Sequence, residues 1–135
     1  RNRRADVGRL RKVYFYDLGI RNALVDNFQP LDVRNDAGAL WENFCIMERK
    51  KYISKALRHI QPFYWRNDNQ REIDYIEEER SSVRAYEFKL GKKTPRLPID
   101  FSRLYPDATY TIVRPTNFTG ILFSSENPAQ ISLLP

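Results

Sequence analysis

Apolar positions along the chain change their period several times, and each change marks an element. "KVYFYD" at 12–17 is an aromatic and β-branched run that predicts a short buried strand. "LGIRNALV" at 18–25 predicts a helical turn or short helix after it, and 28–34 reads as extended or loop. Leu40, Phe44 and Met47, with Trp41 and Cys45 beside them, then recur at helical spacing. A long helix capped by Asn35 or Asp36 is therefore expected to run to about Arg58. Its packed face is that stripe, and Glu48, Arg49, Lys50 and Lys51 are expected on the solvated side.

Farther on, "PFYWR" at 62–66 is strand-like and "NDNQ" at 67–70 is a turn. A hairpin is expected next, with strands near 71–76 and 83–90 around a turn near 77–82. Pro95 and Pro98 break the chain, and "IDFSRLY" at 99–105 predicts a short helix stopped by Pro106. "TYTIV" at 109–113 is a strand, while "GILF" at 120–123 and "ISLL" at 131–134 are weaker strand candidates. This order of elements predicts an α/β fold, a mixed β-sheet flanked by helices.

The hairpin carries an anomaly. With its turn at 77–82, Ile76 faces Val83, Asp74 faces Ala85 and Glu72 faces Glu87. Alternation puts Ile73, Tyr75, Arg84, Tyr86, Phe88 and Leu90 on one largely apolar face, to be packed under helices. Glu72, Asp74, Ile76, Val83, Ala85, Glu87 and Lys89 occupy the other. Asp74 and Glu87 become diagonal neighbours, about 7–8 Å apart at the backbone, and Lys89 follows on the same face. Like charges this close destabilise a sheet unless a cation or a proton joins them. Magnesium, or manganese in its place, suits Asp74 and Glu87 as ligands, because it takes one or two carboxylates and keeps waters that a phosphate can replace. Such an ion polarises a phosphoryl oxygen and activates water, and Lys89 is placed to orient that water or stabilise developing charge. The competing reading is an exposed face holding a Glu87–Lys89 or Asp74–Lys89 ion pair.

Composition bounds the rest. The chain has 135 residues, 41% of them apolar, with eight Tyr, eight Phe and two Trp, which predicts one folded domain rather than disorder. A single cysteine excludes a disulfide framework within the chain, and a cytoplasmic setting is expected. There is no apolar run long enough for a membrane span and no membrane partner is expected. The net charge of +6 is localised: residues 1–12 hold six basic residues against Asp6, whereas the remainder holds 17 basic and 16 acidic. Residues 1–11 therefore read as a basic linker or the end of a preceding module, and 12–135 as the domain. Its start at "RNRRADVGRLRK" without Met reads as a piece of a longer protein. "GKKT" at 91–94 lacks the first glycine of a phosphate-binding loop, its place being taken by Tyr86, so no nucleotide site is expected. His59 is the sole histidine, which excludes a histidine-based zinc cage, and Cys45 is expected in the core.

"EID" on one strand and "EFK" on the next resemble the PD-(D/E)XK nuclease signature of restriction endonucleases and Holliday-junction resolvases. In that superfamily a helix before the hairpin often adds an acidic residue, a place Glu42 holds here, and Ile73 stands where the signature has proline. More broadly, "RKVYFYDLGIRNAL", "GALWENFCIMERKKY", "FYWRNDNQREIDYIEE" and "AYEFKLGKK" resemble an uncharacterised C-terminal domain of prokaryotic AAA+ ATPases. The resemblance covers most of residues 10–115. It implies a restriction-endonuclease-like core behind an absent ATPase module, its partner in the parent chain. It also implies DNA as substrate, with Glu42, Asp74, Glu87 and Lys89 at the nuclease-like positions. The alternatives are a catalytically silent DNA- or protein-binding module regulating the ATPase, and a recognition domain that meets no nucleic acid. The near-neutral body outside residues 1–12 counts against a basic DNA groove.

Overall fold

A 19-residue helix, α2 (Ala37–Lys55), sets the layout of the protein in the computed structural model, which describes residues 12–124. Its sequence contains no proline and is rich in good helix formers. One side buries Leu40, Asn43, Cys45, Ile46, Met47, Arg49 and Ile53. Asp36 sits at its cap position, but its carboxylate does not cap the helix. It binds Arg34 and Arg21 instead, each at 2.8 Å, and so ties the preceding helix α1 (Leu18–Leu24) to the start of α2.

Four strands follow: β1 (Gln61–Arg66), β2 (Glu72–Glu79), β3 (Ser82–Phe88) and β4 (Thr109–Val113), in sheet order β1-β2-β3-β4. The first three pair antiparallel, and β4 joins β3 in parallel after a crossover through α3 (Ile99–Leu104). The fold is thus α/β with a mixed, four-stranded sheet, as the order of elements predicts. On one face Cys45, Ile46 and Met47 of α2 pack on Tyr75, Tyr86, Phe88 and Val113, together with Leu122 of α4 (Phe118–Leu122). On the other, Phe101 of α3 packs on Ile73, Ile76, Val83 and Ala85, with Trp65 meeting its ring edge-to-face and Tyr105 at a tilt. Tyr75, Tyr86 and Phe88 are each at most 3% exposed, in accord with their expected place under the helices. Cys45 is a core residue, also as expected.

Several local expectations are corrected. Residues 12–17 form no strand, and the backbone of Phe15 is met by the Asn43 side chain of α2 instead. "GILF" belongs to α4, not to a strand, and "ISLL" lies outside the described residues, as does the expected linker 1–11. The hairpin turn is much tighter than 77–82, since Glu79 already pairs with Ser82. Arg80 takes the left-handed geometry that such a two-residue turn requires, with φ of 56°. Glu77, Glu78 and Glu79 are therefore strand residues.

They stay in the strand because arginines meet them. Arg49 is not on a solvated face: it is 2% exposed and grips Glu77, which is 0% exposed, through two bonds of 2.7 and 3.0 Å. The remaining nitrogen of Arg49 donates to the carbonyls of Leu122 and Ser124 at 2.9 and 2.7 Å, anchoring the end of α4. Arg84 bridges Glu77 and Glu79, and Arg58 binds Glu79 as well. A buried ion pair of this kind contributes little over an apolar replacement, but removing one partner alone leaves a desolvated charge. Arg49→Ala should therefore lower unfolding free energy by about 3–5 kcal/mol in urea titration. Lys51→Ala, which breaks the partly exposed pair with Glu48 and an exposed contact with the Tyr16 ring, should cost less, about 1 kcal/mol.

Candidate functional site

The pairing of β2 with β3 decides where the carboxylates fall. Ile76 pairs with Ala85 and Tyr75 with Tyr86, so the register differs by two residues from the expected pairing of Ile76 with Val83. A slip of two preserves the alternation of faces. It also brings Glu87 directly opposite Asp74 when the register is continued by one residue, where a diagonal was expected. Across the other edge of β2, β1 advances two residues between the pairs Phe63–Ile76 and Trp65–Ile73 while β2 advances three. The extra residue is a bulge around Asp74 and Tyr75, and it turns Ile73 to the α3 side, away from its expected face. Asp74 thus stands where the strand bends.

Asp74 is 5% exposed and its Oδ2 accepts the Phe88 N–H at 3.0 Å. The ammonium of Lys89 lies 2.7 Å from Glu87 Oε1 and 3.8 Å from Asp74 Oδ2. The ion pair of the bland reading is therefore present, but on two buried carboxylates. Glu87 is 7% exposed, and its Oε2 is buried without a hydrogen bond of ordinary geometry. Glu42 reaches the same cluster from α2 through an unexpected intermediary. Lys12 Nζ sits 3.1 Å from Glu42 Oε1, 3.1 Å from Glu72 Oε1 and 3.5 Å from Asp74 Oδ1. The Tyr14 hydroxyl donates to the same Glu42 oxygen at 2.5 Å. Glu42, Asp74, Glu87 and Lys89 are thus gathered at one end of the sheet, with Glu72, Lys12 and Tyr14 added.

Burial alone would lower the pKa of Lys12, yet Glu42, Asp74 and Glu72 outweigh it and hold the ammonium above its ordinary range. Lys89 is raised in the same way by Glu87 and Asp74 against the effect of burial. Glu87 is pushed upward by burial; the Lys89 hydrogen bond opposes this, the Asp74 charge adds to it, and the Asp74 backbone pulls slightly back. Tyr110, on β4 beside this cluster, is raised by burial and then by the charges of Glu87 and Asp74. Four carboxylates and two ammonium groups meet here, a formal excess of two negative charges.

The arrangement offers hard oxygen donors to a cation, and the orphaned Glu87 Oε2 beside Asp74 fits a small divalent ion that keeps most of its waters. It is not a full protein cage, since among the described residues no three Asp, Glu, His or Cys side chains are disposed to hold a metal together. Beyond β3 the chain turns into an exposed loop with Lys92, Lys93 and Arg96. Arg114 shapes that loop by donating to the carbonyls of Gly91 and Lys93 and to Thr94. Glu72, Lys12, Tyr14 and Arg114 were not legible as site residues. Lys12 in particular reads as the last member of a basic arm, and only its proximity to the apolar run "VYFY" ties it to the fold.

Fold and site together define an α/β domain with a buried carboxylate and lysine cluster at one end of a mixed sheet. The chain belongs to the family described as Domain of unknown function (DUF4143), whose model matches residues 37–124. That span contains Glu42, Glu72, Asp74, Glu87 and Lys89. No curated protein and no solved structure matches the chain significantly. No helix among the described residues is long and apolar enough to cross a membrane.

The upward displacement of Glu87 has a consequence for stability. A carboxylate whose folded value is raised costs nothing below its unfolded value, and its cost is complete above the folded one. Glu87→Gln should therefore melt at a higher temperature than the unaltered protein at pH 7. The gain should vanish as the pH falls to about 4, below the ordinary glutamate value. Paired thermal melts at the two pH values check this.

Proposed function

We propose that this domain is a divalent-metal-dependent, nuclease-like module that hydrolyses phosphodiester bonds in DNA. The observation that carries the reading is Glu87 Oε2, a buried acceptor without a hydrogen bond of ordinary geometry, next to Asp74 and on the same carboxylate that Lys89 grips. Asp74 and Glu87 would hold magnesium or manganese. The ion, when bound, supplies Lewis-acid activation of a phosphoryl oxygen and of water. Lys89 is fixed by Glu87 at 2.7 Å, so its ammonium is directed at the place where negative charge would develop on the phosphate. Glu42 adds negative charge from α2 and so strengthens the attraction for a cation.

Resemblance to the PD-(D/E)XK signature supports the same roles for the same residues. Resemblance to the C-terminal domain of prokaryotic AAA+ ATPases supports an ATPase module of the parent chain as the partner. Lys92, Lys93 and Arg96 supply exposed cations directly after β3, where a phosphate backbone crossing the cluster would run. A second reading, a catalytically silent module that binds DNA or protein, is favoured by Lys12, which already neutralises part of the cluster.

Calorimetric titration with magnesium and manganese, followed by assays on single-stranded, duplex and branched DNA, separates the two. For the nuclease, Asp74→Asn should abolish metal binding and hydrolysis, and loss of Glu87 should do the same. Lys89→Ala should leave metal affinity nearly unchanged and reduce turnover about 10²-fold or more. For a silent module Asp74→Asn should be as stable as the unaltered protein or more so, with no metal bound at millimolar concentration.

A further inference from the structure

Lys12 lies outside the span matched by the family model and outside the "EID" and "EFK" pair that points to metal chemistry. Its ammonium nevertheless sits among carboxylates from two elements, Glu42 on α2 and Glu72 and Asp74 on β2, at 3.1 to 3.5 Å. The residues after it form a short strap docked on α2 by polar contacts. Asn43 receives the Phe15 N–H at 2.8 Å and returns a bond to the Phe15 carbonyl at 2.7 Å, replacing the strand partner that the strap lacks. Tyr14 adds its hydroxyl bond to Glu42. Apolar anchoring is partial: Val13 and Tyr16 are both more than 70% exposed, Phe15 is half-buried and Tyr14 packs against the core. The strap thus places one charge in the cluster and is held by a handful of hydrogen bonds and ion pairs. A second observation separates this cluster from an ordinary solvated acidic patch. Glu87 Oε2, on a side chain 9% exposed, has no partner even with Lys12 and Lys89 in place.

We propose that Lys12 is a resident cation that plugs the carboxylate site, and that a divalent ion gains full access only when the strap of residues 12–15 withdraws. This inference rests on the metal-binding reading of the site given above. It goes further by making occupancy of the site conditional on the chain that enters the domain from its N-terminal side. The ammonium and the ion compete for Asp74, and the ammonium also neutralises the charge that Glu42 would lend to the ion. Binding of one therefore weakens binding of the other by the same factor. The plug leaves Glu87 alone, so the site keeps a partial donor set while it is closed. Any event that pulls on the chain ahead of Lys12 would open it.

The test measures manganese affinity by calorimetry for the unaltered protein and for Lys12→Met, which keeps the length of the side chain without its charge. Lys12→Met should bind manganese at least ten-fold more tightly, and Asp74→Asn should abolish binding in either background. A second measurement needs no variant: magnesium added to the unaltered protein should accelerate hydrogen exchange at the Phe15 amide, which Asn43 otherwise protects. Equal manganese affinity with and without the Lys12 charge overturns the plug and leaves the metal-site reading standing. No manganese binding in either form overturns both. Should Lys12→Met fail to fold, unchanged Phe15 exchange at saturating magnesium overturns the plug by itself.

Discussion

The pairing of Arg49 with Glu77 fixes how the long helix lies on the sheet, and the site follows from that one contact. Both groups are buried, and the guanidinium meets the carboxylate through two nitrogens, so neither slides nor rotates without exposing an uncompensated charge. From this point the helix and the strand can be followed toward their N-terminal ends. Glu42 lies seven residues before Arg49, two helical turns and about 10 Å away on the same side of α2. Asp74 lies three residues before Glu77, also about 10 Å along β2. Equal travel along both elements brings the two carboxylates level, and the ammonium of Lys12 touches both. The same guanidinium holds the carbonyls at the end of α4, so one residue ties together helix, sheet and the last described helix.

Against that rigid frame the carboxylate cluster is a place of conflict. Core positions at the neighbouring residues Tyr75, Ile76, Ala85 and Tyr86 are filled by apolar side chains at 3% exposure or less. Asp74 and Glu87, at 5% and 7% exposure, carry like charge and share the ammonium of Lys89, with Lys12 adding a second beside Asp74. Keeping two like-charged carboxylates, one of them with its pKa raised by burial, beside apolar core positions is a local cost of the kind that marks candidate functional sites. The bulge in β2 lies at the same place: it gives up one rung of regular pairing around Asp74 and turns Ile73 out of the strict alternation.

Much of this was legible in the sequence, and the misreadings share a cause. Alternation along 71–90 identified Asp74, Glu87 and Lys89, and it survived a register error because the slip was an even number of residues. The turn was misplaced since Arg80 and Ser81 offer no glycine or asparagine to mark left-handed backbone, while the glutamates at 77–79 look like a solvated loop. Arg49 looked solvated for a related reason: it stands in a run of four charged residues, and nothing local distinguishes it from Lys50. What distinguishes it is Glu77, 28 residues away, and single-sequence periodicity carries no information about such a partner. Lys12 went without a site role for the same reason, its three carboxylates lying 30 to 62 residues along the chain. "GILF" resembles a strand by composition, and packing against α2 overrode that propensity.

The spacing around Lys12 also says what kind of cation the present conformation is built for. Carboxylate oxygens at 3.1 to 3.5 Å suit an ammonium, whose donors act through hydrogen atoms. Magnesium holds its oxygens at about 2.0–2.1 Å and requires near-octahedral order around it. Exchanging one for the other therefore calls for the carboxylates to draw inward by about 1 Å as well as for the amine to leave. Asp74 is poorly free to move, because its second oxygen holds the Phe88 amide. Glu42 has the longer side chain and is held by the ammonium of Lys12 and the hydroxyl of Tyr14, both borne by the strap. Withdrawal of the strap would release the mobile carboxylate along with the space, so vacating the site and reshaping its donors become one movement rather than two.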